Sequence, residues 1–200
     1  HTLNKIKSNN YHYKQCHSHH SSKNININGE CLHNNNPFIV YIISIRNPIK
    51  RFISAFYHNF LHVNKEKYIK LGIKCINTFL DKLFINNDIN KEIEEKFIFG
   101  HLKFGFDEYL SSFLNNKHYS NIIVLLTDDL DRELNRKLHI DNNLIYRGQE
   151  HSFIPKDKNI IIDEKHIYNL KNYLKKEYLI LEKLKKLDLL TEDEYNKIKF

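Results

Sequence analysis

One stretch of this sequence, residues 38–60, limits the possible folds more than any other. Phe38 to Ile45 is almost entirely apolar and rich in branched side chains, which is typical of a strand buried on both faces of a parallel sheet. Pro48 follows at a position where the first turn of a helix tolerates proline. The apolar residues after it recur at helical spacing, as Ile49, Phe52, Ile53, Phe56 and Phe60. The stretch therefore predicts a strand, a tight turn and a helix.

The rest of the chain repeats this alternation. Asn121–Leu126 is a second apolar strand, and Thr127, Asp128 and Asp129 after it are expected to supply capping side chains for a helix that runs through Leu138. The order of strands and helices predicts an α/β fold with a central parallel sheet flanked by helices and a helical C-terminal part. Further elements are predicted as a helix over 1–9, a short strand over 11–16, a loop over 21–36, amphipathic helices over 65–84 and 163–186, and a last helix that begins with a capping box of Thr191 and Glu194.

Length and charge set broad limits. With 200 residues the chain is long enough for one domain with a substantial core, so a single domain over residues 1–200 is predicted. Lys and Arg number 31 against 24 for Asp and Glu, an excess that favours anionic partners such as nucleotides or polyanions, unless these lysines simply cover solvated helix faces. No apolar stretch approaches the roughly 20 residues that a membrane span requires, so no span is predicted in this chain.

The cysteines bear on the redox environment. Cys16, Cys31 and Cys75 are odd in number and show no CxxC spacing, so neither a disulfide framework nor a structural zinc site is predicted. This pattern favours a reducing compartment such as the cytoplasm. The sequence contains no methionine, even at position 1, and we therefore expect it to start inside a longer gene product. Signals upstream, including those for the Golgi lumen, are left open.

The turn after the first strand carries the residues best suited to bind an anion. Ligands of parallel α/β sheets gather beyond the carboxyl ends of the strands, where a helix N-terminus offers unpaired N–H groups. Arg46 lies at that junction, and its guanidinium can hold a phosphate through two parallel hydrogen bonds. Lys50, Ser54 and Tyr57 follow on one side of the helix, so the Ser54 hydroxyl can reach the same anion. Alternatively, Arg46 pairs with a carboxylate and Ser54 is a small residue at a helix contact.

Residues 46–57, RNPIKRFISAFY, resemble the 3′-phosphate-binding segment of sulfotransferases that use 3′-phosphoadenosine 5′-phosphosulfate, a family that includes carbohydrate and capsular-polysaccharide enzymes. The family pattern is R-[DN]-P-x-x-R-x-x-S-x-[FY]. Three other segments resemble the family in the expected order, so that the resemblance covers roughly residues 1–140. They are TLNKI at residues 2–6, QCHSHH at 15–20 and VLLTDDL at 124–130.

The resemblance implies a P-loop NTPase-like sulfotransferase fold. It implies a sulfuryl transfer from the nucleotide to a hydroxyl or amine acceptor, a glycan among the candidates, with 3′,5′-adenosine diphosphate as product and with no nucleic acid as partner. Arg46 and Ser54 match the positions that bind the 3′-phosphate. Thr2 matches the last hydroxyl of the loop that holds the 5′-phosphosulfate, and the rest of that loop is expected upstream of residue 1.

Three histidines and a second arginine complete the candidate site. The resemblance places the catalytic base at His19, with His17 and His20 as alternatives, because imidazole can accept the acceptor's proton near neutral pH. A metal site in this run is not predicted, since adjacent residues of an extended chain point in opposite directions. Arg147 and Gly148 match a segment that returns to the 3′-phosphate in some members, although a plain turn explains them equally well. The loop over 100–107 is a candidate lining of the acceptor cleft.

Two other functions fit the same residues. A different nucleotide-dependent transferase, such as a small kinase, would require a Walker-type loop upstream and a carboxylate for magnesium. A non-catalytic basic module for polyanions would show a steep salt dependence of binding without preference for a nucleotide.

Overall fold

The described part of the protein contains two short pairs of strands, one parallel and one antiparallel, and many helices. The computed structural model describes residues 41–115, 122–139 and 160–199. Its elements are β1 (Tyr41–Ile45), α1 (Pro48–His58), α2 (Lys65–Lys70), α3 (Ile76–Leu83), β2 (Phe84–Ile85), β3 (Asp88–Ile89), α4 (Lys91–Phe97), α5 (Phe106–Asn115), β4 (Ile122–Leu126), α6 (Leu130–Leu138), α7 (Glu164–Tyr173), α8 (Lys175–Lys186) and α9 (Glu192–Ile198).

Strands β1 and β4 pair in parallel, with Tyr41 opposite Ile122 and Ile45 opposite Leu126. Helices cover both faces of this pair. Side chains on one face share a core with apolar residues of α5, α8 and α9, and on the other face Leu125 packs against α6. The predicted α/β class and the parallel pairing of the two strands are therefore confirmed. Strands β2 and β3 form a separate antiparallel pair of two residues each.

The unit of β1, tight turn and α1 has the predicted form. Asn47 caps the helix, since its Oδ1 accepts a hydrogen bond from the Lys50 N–H at 3.0 Å, and Pro48 occupies the first helical position. The apolar stripe of α1 is buried, with Phe52 and Phe56 fully inaccessible. A π-helical turn over Asn59–Val63 continues the helix. One prediction is wrong here, because β1 is not buried on both faces along its length: Ser44 is exposed.

Two predicted long helices are each divided in two. The helix predicted over 65–84 becomes α2 and α3, because the chain turns at Gly72, whose positive φ of 72° suits glycine. The helix predicted over 163–186 becomes α7 and α8, with the break at Leu174. Helices α2 and α3 pack against one core, so their apolar spacing persists across the change of direction. Helix α7 packs against that same core, whereas the buried apolar residues of α8 belong to the core beside the β1–β4 pair.

The capping predictions for the two later helices had different outcomes. Thr191 and Glu194 form the predicted capping box at the start of α9. The residues before α6 do not cap it with a side chain, because their polar groups bond elsewhere. Thr127 donates to a carbonyl of β1, Asp128 pairs with Lys50, and Asp129 pairs with a residue inside the helix. The helix therefore begins through a single 3-10 turn.

The elements predicted over 1–9, 11–16 and 21–36, together with residues 38–40 of the first strand, lie outside the described residues. In the part of the chain that the structure describes, no helix combines the length and apolar character needed to cross a membrane.

Candidate functional site

The candidate site lies where β1 and β4 end. Because the two strands are parallel, their carboxyl ends meet at one edge of the sheet. A hydrogen bond of 3.0 Å from the Thr127 hydroxyl to the Ile45 carbonyl joins the two turns that follow the strands. The N-terminus of α1 opens at the same edge. Its first turn contains no acidic residue, so the unpaired N–H groups keep their attraction for an anion.

Two cationic side chains converge at this edge on a single carboxylate. Arg46 Nη2 lies 3.5 Å from Asp128 Oδ1, and Lys50 Nζ lies 2.7 Å from Asp128 Oδ2. Both cations come from the turn and first helical turn after β1, and the carboxylate comes from the turn after β4. The fold thus holds two positive charges close enough together to bind one doubly charged group.

These contacts with Asp128 are of the kind that a stronger anion can replace. The Lys50 side chain is 56% exposed and that of Asp128 37%, and ion pairs with such exposure typically contribute about 0.2–1 kcal/mol. In addition, Arg46 Nε is buried and has no hydrogen-bond acceptor among the described residues. The guanidinium therefore has donor capacity that Asp128 does not satisfy.

Ser54 lies one helical turn beyond Lys50 and is half-buried. Its hydroxyl makes no hydrogen bond with the described residues, which leaves it available to a ligand on this side of α1. Tyr57, the third residue predicted on this side, packs instead against the core of α1 and α3. Burial raises the pKa of the Tyr57 hydroxyl, and the nearby Cys75 raises it further. Tyr57 therefore serves packing more than binding.

The second arginine of the segment, Arg51, points away from this edge into the protein. Its guanidinium binds Glu177 of α8 through Nε, at 2.7 Å from Oε2, and through Nη2 to Oε1. Nη1 donates to the His101 carbonyl at 2.7 Å. The Glu177 side chain is 3% exposed and also accepts from the Phe106 N–H at 3.3 Å. Arg51 thus ties α1 to α8 and to the loop before α5, and both oxygens of Glu177 are occupied.

Comparison with protein families gives a match to the Sulfotransferase family over residues 2–141, which is more than half of the chain. The chain belongs to the sulfotransferase family. Comparison with the curated proteins and with the solved structures gave no match. The family assignment agrees with the resemblance of residues 46–57 to the 3′-phosphate-binding segment, and it makes the chain a transferase of sulfuryl groups by family. The helices α7, α8 and α9 lie beyond the matched residues.

Among the sulfotransferase site residues predicted from sequence, the structure describes Arg46 and Ser54. Arg46 lies in the turn after β1, and Ser54 lies within α1. Their binding of a 3′-phosphate stays a prediction, and so does the role of segment 100–107. This segment begins with a 3-10 turn after α4 and runs into the first residues of α5. Arg46 does pair with a carboxylate, as the alternative interpretation expected, although it shares that carboxylate with Lys50. The remaining predicted residues lie outside the described part: Thr2, His17, His19, His20, Arg147 and Gly148.

Sequence reasoning missed the carboxylate partners of the two arginines in this segment, Asp128 and Glu177. The first was within reach, because parallel strands bring the residues that follow them to one edge of the sheet. Asp128 follows β4 just as Arg46 follows β1, so their meeting is a consequence of the predicted fold. The second had no local signal, since Glu177 lies 126 residues beyond Arg51 within an ordinary amphipathic helix.

Proposed function

We propose that this protein transfers the sulfuryl group of 3′-phosphoadenosine 5′-phosphosulfate to a hydroxyl or amine acceptor, with a glycan among the candidates. The observation that supports this proposal most strongly is the convergence of Arg46 and Lys50 on one point at the N-terminus of α1. A 3′-phosphate is a compact dianion, and two cations together with a helix N-terminus are the groups that favour it. The proposal includes the P-loop-like arrangement of the wider sheet.

Arg46, Lys50 and Ser54 hold the 3′-phosphate in this account. The guanidinium donates two hydrogen bonds, the ammonium adds a second positive charge, and the Ser54 hydroxyl donates from one helical turn further along. Asp128 gives up its contacts when the nucleotide binds, because a phosphate carries about twice the charge of a carboxylate. Arg46 Nε then gains the acceptor that the described residues do not provide.

The remaining roles come from the family resemblance. The nucleotide supplies the sulfuryl group and leaves as 3′,5′-adenosine diphosphate. Thr2 and the loop expected before it would hold the 5′-phosphosulfate and stabilise the negative charge that develops there. His19, with His17 and His20 as alternatives, would take the proton of the acceptor as its oxygen or nitrogen bonds to sulfur. Arg147 and Gly148 would approach the 3′-phosphate from a second side.

The proposal is tested by calorimetric titration with 3′,5′-adenosine diphosphate and with AMP, which differ only in the 3′-phosphate. The native chain is expected to prefer the first compound. Arg46→Ala removes a charge-assisted pair of hydrogen bonds and is expected to weaken its binding about 10- to 150-fold. Ser54→Ala is expected to weaken it about 2- to 10-fold, because one neutral donor is lost.

Ser44→Ala serves as the control, since it removes an exposed hydroxyl from the neighbouring strand. It is expected to bind both compounds as the native chain does. Equal affinity of the native chain for the two compounds would contradict the proposal. A preference for ATP with magnesium would favour a kinase, and binding that follows salt concentration without nucleotide preference would favour a polyanion module.

A further inference from the structure

The residues on both sides of Arg46 are held by the C-terminal helix. Ile45, which precedes Arg46, is 1% exposed and shares a core with Ile198 of α9. Asn47, which follows it, donates from Nδ2 to the Ile198 carbonyl at 2.9 Å, and this hydrogen bond is buried. The backbone from which the Arg46 side chain projects is therefore flanked by a residue buried in the same core as Ile198 and by a residue hydrogen-bonded to the Ile198 carbonyl.

Asn47 makes two hydrogen bonds that need both halves of its amide group. Its Oδ1 caps α1 by accepting from the Lys50 N–H at 3.0 Å, while its Nδ2 reaches α9. The side chain is buried, at 3% exposure, so neither bond can be exchanged for water. Aspartate would cap the helix equally well but has no hydrogen to donate to Ile198. The family pattern accepts either residue at this position, and in this chain the contact to α9 requires asparagine.

Helix α9 is also joined to the other side of the site. Glu194, at its first turn, pairs with Lys137 at 2.7 Å and with Arg136, both on α6. Helix α6 begins directly after the turn that carries Asp128. A single helix of the C-terminal part thus contacts the cap of the helix that carries Lys50 and the helix that follows the turn with the competing carboxylate.

We propose that α9 is a positioning element of the nucleotide site and that Asn47 is the positioning residue through which it acts. The hydrogen bond from the Asn47 side chain to the Ile198 carbonyl sets the direction in which Arg46 leaves the strand. It thereby also sets the point at which Arg46 and Lys50 meet. This inference rests on the proposed function, because it assumes that the 3′-phosphate binds at that point. It assigns a binding role to a segment beyond residues 2–141, the part that matches the family.

The test is the Asn47→Asp variant, titrated with 3′,5′-adenosine diphosphate and with AMP. The variant keeps the helix cap and loses the donor to Ile198. We expect binding of 3′,5′-adenosine diphosphate to weaken about 5- to 20-fold, the range for a misplaced charge-assisted hydrogen bond, and binding of AMP to stay unchanged. A merely structural role of Asn47 would lower the melting temperature without changing the ratio of the two affinities. Because the added carboxylate charge beside Arg46 and Lys50 would itself weaken binding of the 3′-phosphate, the uncharged Asn47→Ser variant must show the same selective loss.

The matched control is Asn90→Asp. Asn90 also caps a helix, α4, because its Oδ1 accepts from the Ile93 N–H. Its side-chain nitrogen, Nδ2, has no hydrogen-bond partner among the described residues. The same chemical change there is expected to leave both affinities as in the native chain. Asn47→Ser is measured alongside Asn47→Asp, because serine keeps a capping hydroxyl, adds no charge and cannot span the distance to Ile198.

The outcomes separate the inference from the proposed function. A native chain that prefers 3′,5′-adenosine diphosphate, together with an Asn47→Asp variant that keeps the full preference, overturns the inference and leaves the proposed function standing. A native chain without that preference overturns both. Selective loss in the Asn47 variants alone supports the inference.

Discussion

Replacing Glu177 with alanine is expected to destabilise the protein more than most single substitutions would. The change removes a carboxylate that is almost fully buried and that holds Arg51 through two oxygens. Among the described residues, the Arg51 side chain, 13% exposed, would keep as acceptors the His101 carbonyl at 2.7 Å and the Phe104 carbonyl at 3.4 Å. A buried positive charge would then lack its counter-ion.

Breaking a buried pair by removal of one partner typically costs about 3–5 kcal/mol, because the remaining charge is uncompensated. Each kcal/mol lowers the melting temperature of a chain of this size by about 2–4 °C, so the expected drop is about 6–20 °C. The double variant Arg51→Met with Glu177→Leu is expected to lose less than Glu177→Ala, since no charge is then left in the core.

Urea unfolding and differential scanning calorimetry measure these effects. Lys91→Ala provides the comparison, because it removes the exposed Lys91–Glu94 pair and should change the free energy of unfolding by no more than about 1 kcal/mol. A Glu177→Ala variant within about 1 kcal/mol of the native chain would refute the reasoning. So would a double variant whose loss equals the sum of the losses of the single variants Arg51→Met and Glu177→Leu, because the two residues would then not interact.

Three further predictions concern the site and its support. Asp128→Asn should tighten binding of 3′,5′-adenosine diphosphate about 2- to 10-fold in a calorimetric titration, since the carboxylate no longer competes for the cations; weaker binding would contradict this. Burial raises the pKa of Glu194, but the hydrogen bond from Lys137 and other contacts outweigh it and lower that pKa to about 2. The stabilising contribution of the ionised Glu194 is therefore complete above pH 4.5 and lost as the pH falls towards 2. The urea midpoints of Glu194→Gln should fall less across this range than those of the native chain. Parallel curves of midpoint against pH for the two proteins would contradict this prediction. Gly105→Ala should lower stability by about 1–3 kcal/mol, because the added Cβ would lie 2.6 Å from the fixed carboxylate of Glu177, and an unchanged melting temperature would show that this carboxylate can move.

The sequence predicted the part of the fold that depends on local patterns. The strand that ends at Ile45, the turn and the helix from Pro48 followed from apolar spacing and from a proline that fits the first helical turn. The breaks at Gly72 and Leu174 did not, because periodicity reports which residues face a core and not whether the chain keeps its direction. A glycine with positive φ marked the first break, whereas no residue marked the second.

The candidate site depends on sequence in two ways. Arg46 and Ser54 were proposed from residue types close together in sequence and from the family resemblance, and their binding of a phosphate stays a prediction. The contacts of Asn47 with Ile198 and of Arg51 with Glu177 join residues more than 120 positions apart, and no local pattern encodes such pairs. Such long-range polar contacts between buried groups could therefore be recognised only in the folded structure.

A structure of this protein with 3′,5′-adenosine diphosphate bound tests the central claim most directly. The account predicts the 3′-phosphate within hydrogen-bond distance, about 2.7–3.2 Å, of the Arg46 guanidinium and the Ser54 hydroxyl, with Asp128 displaced from Arg46 and Lys50. A nucleotide whose 3′-phosphate lies elsewhere, with the contacts between Asp128 and the two cations intact, would contradict it.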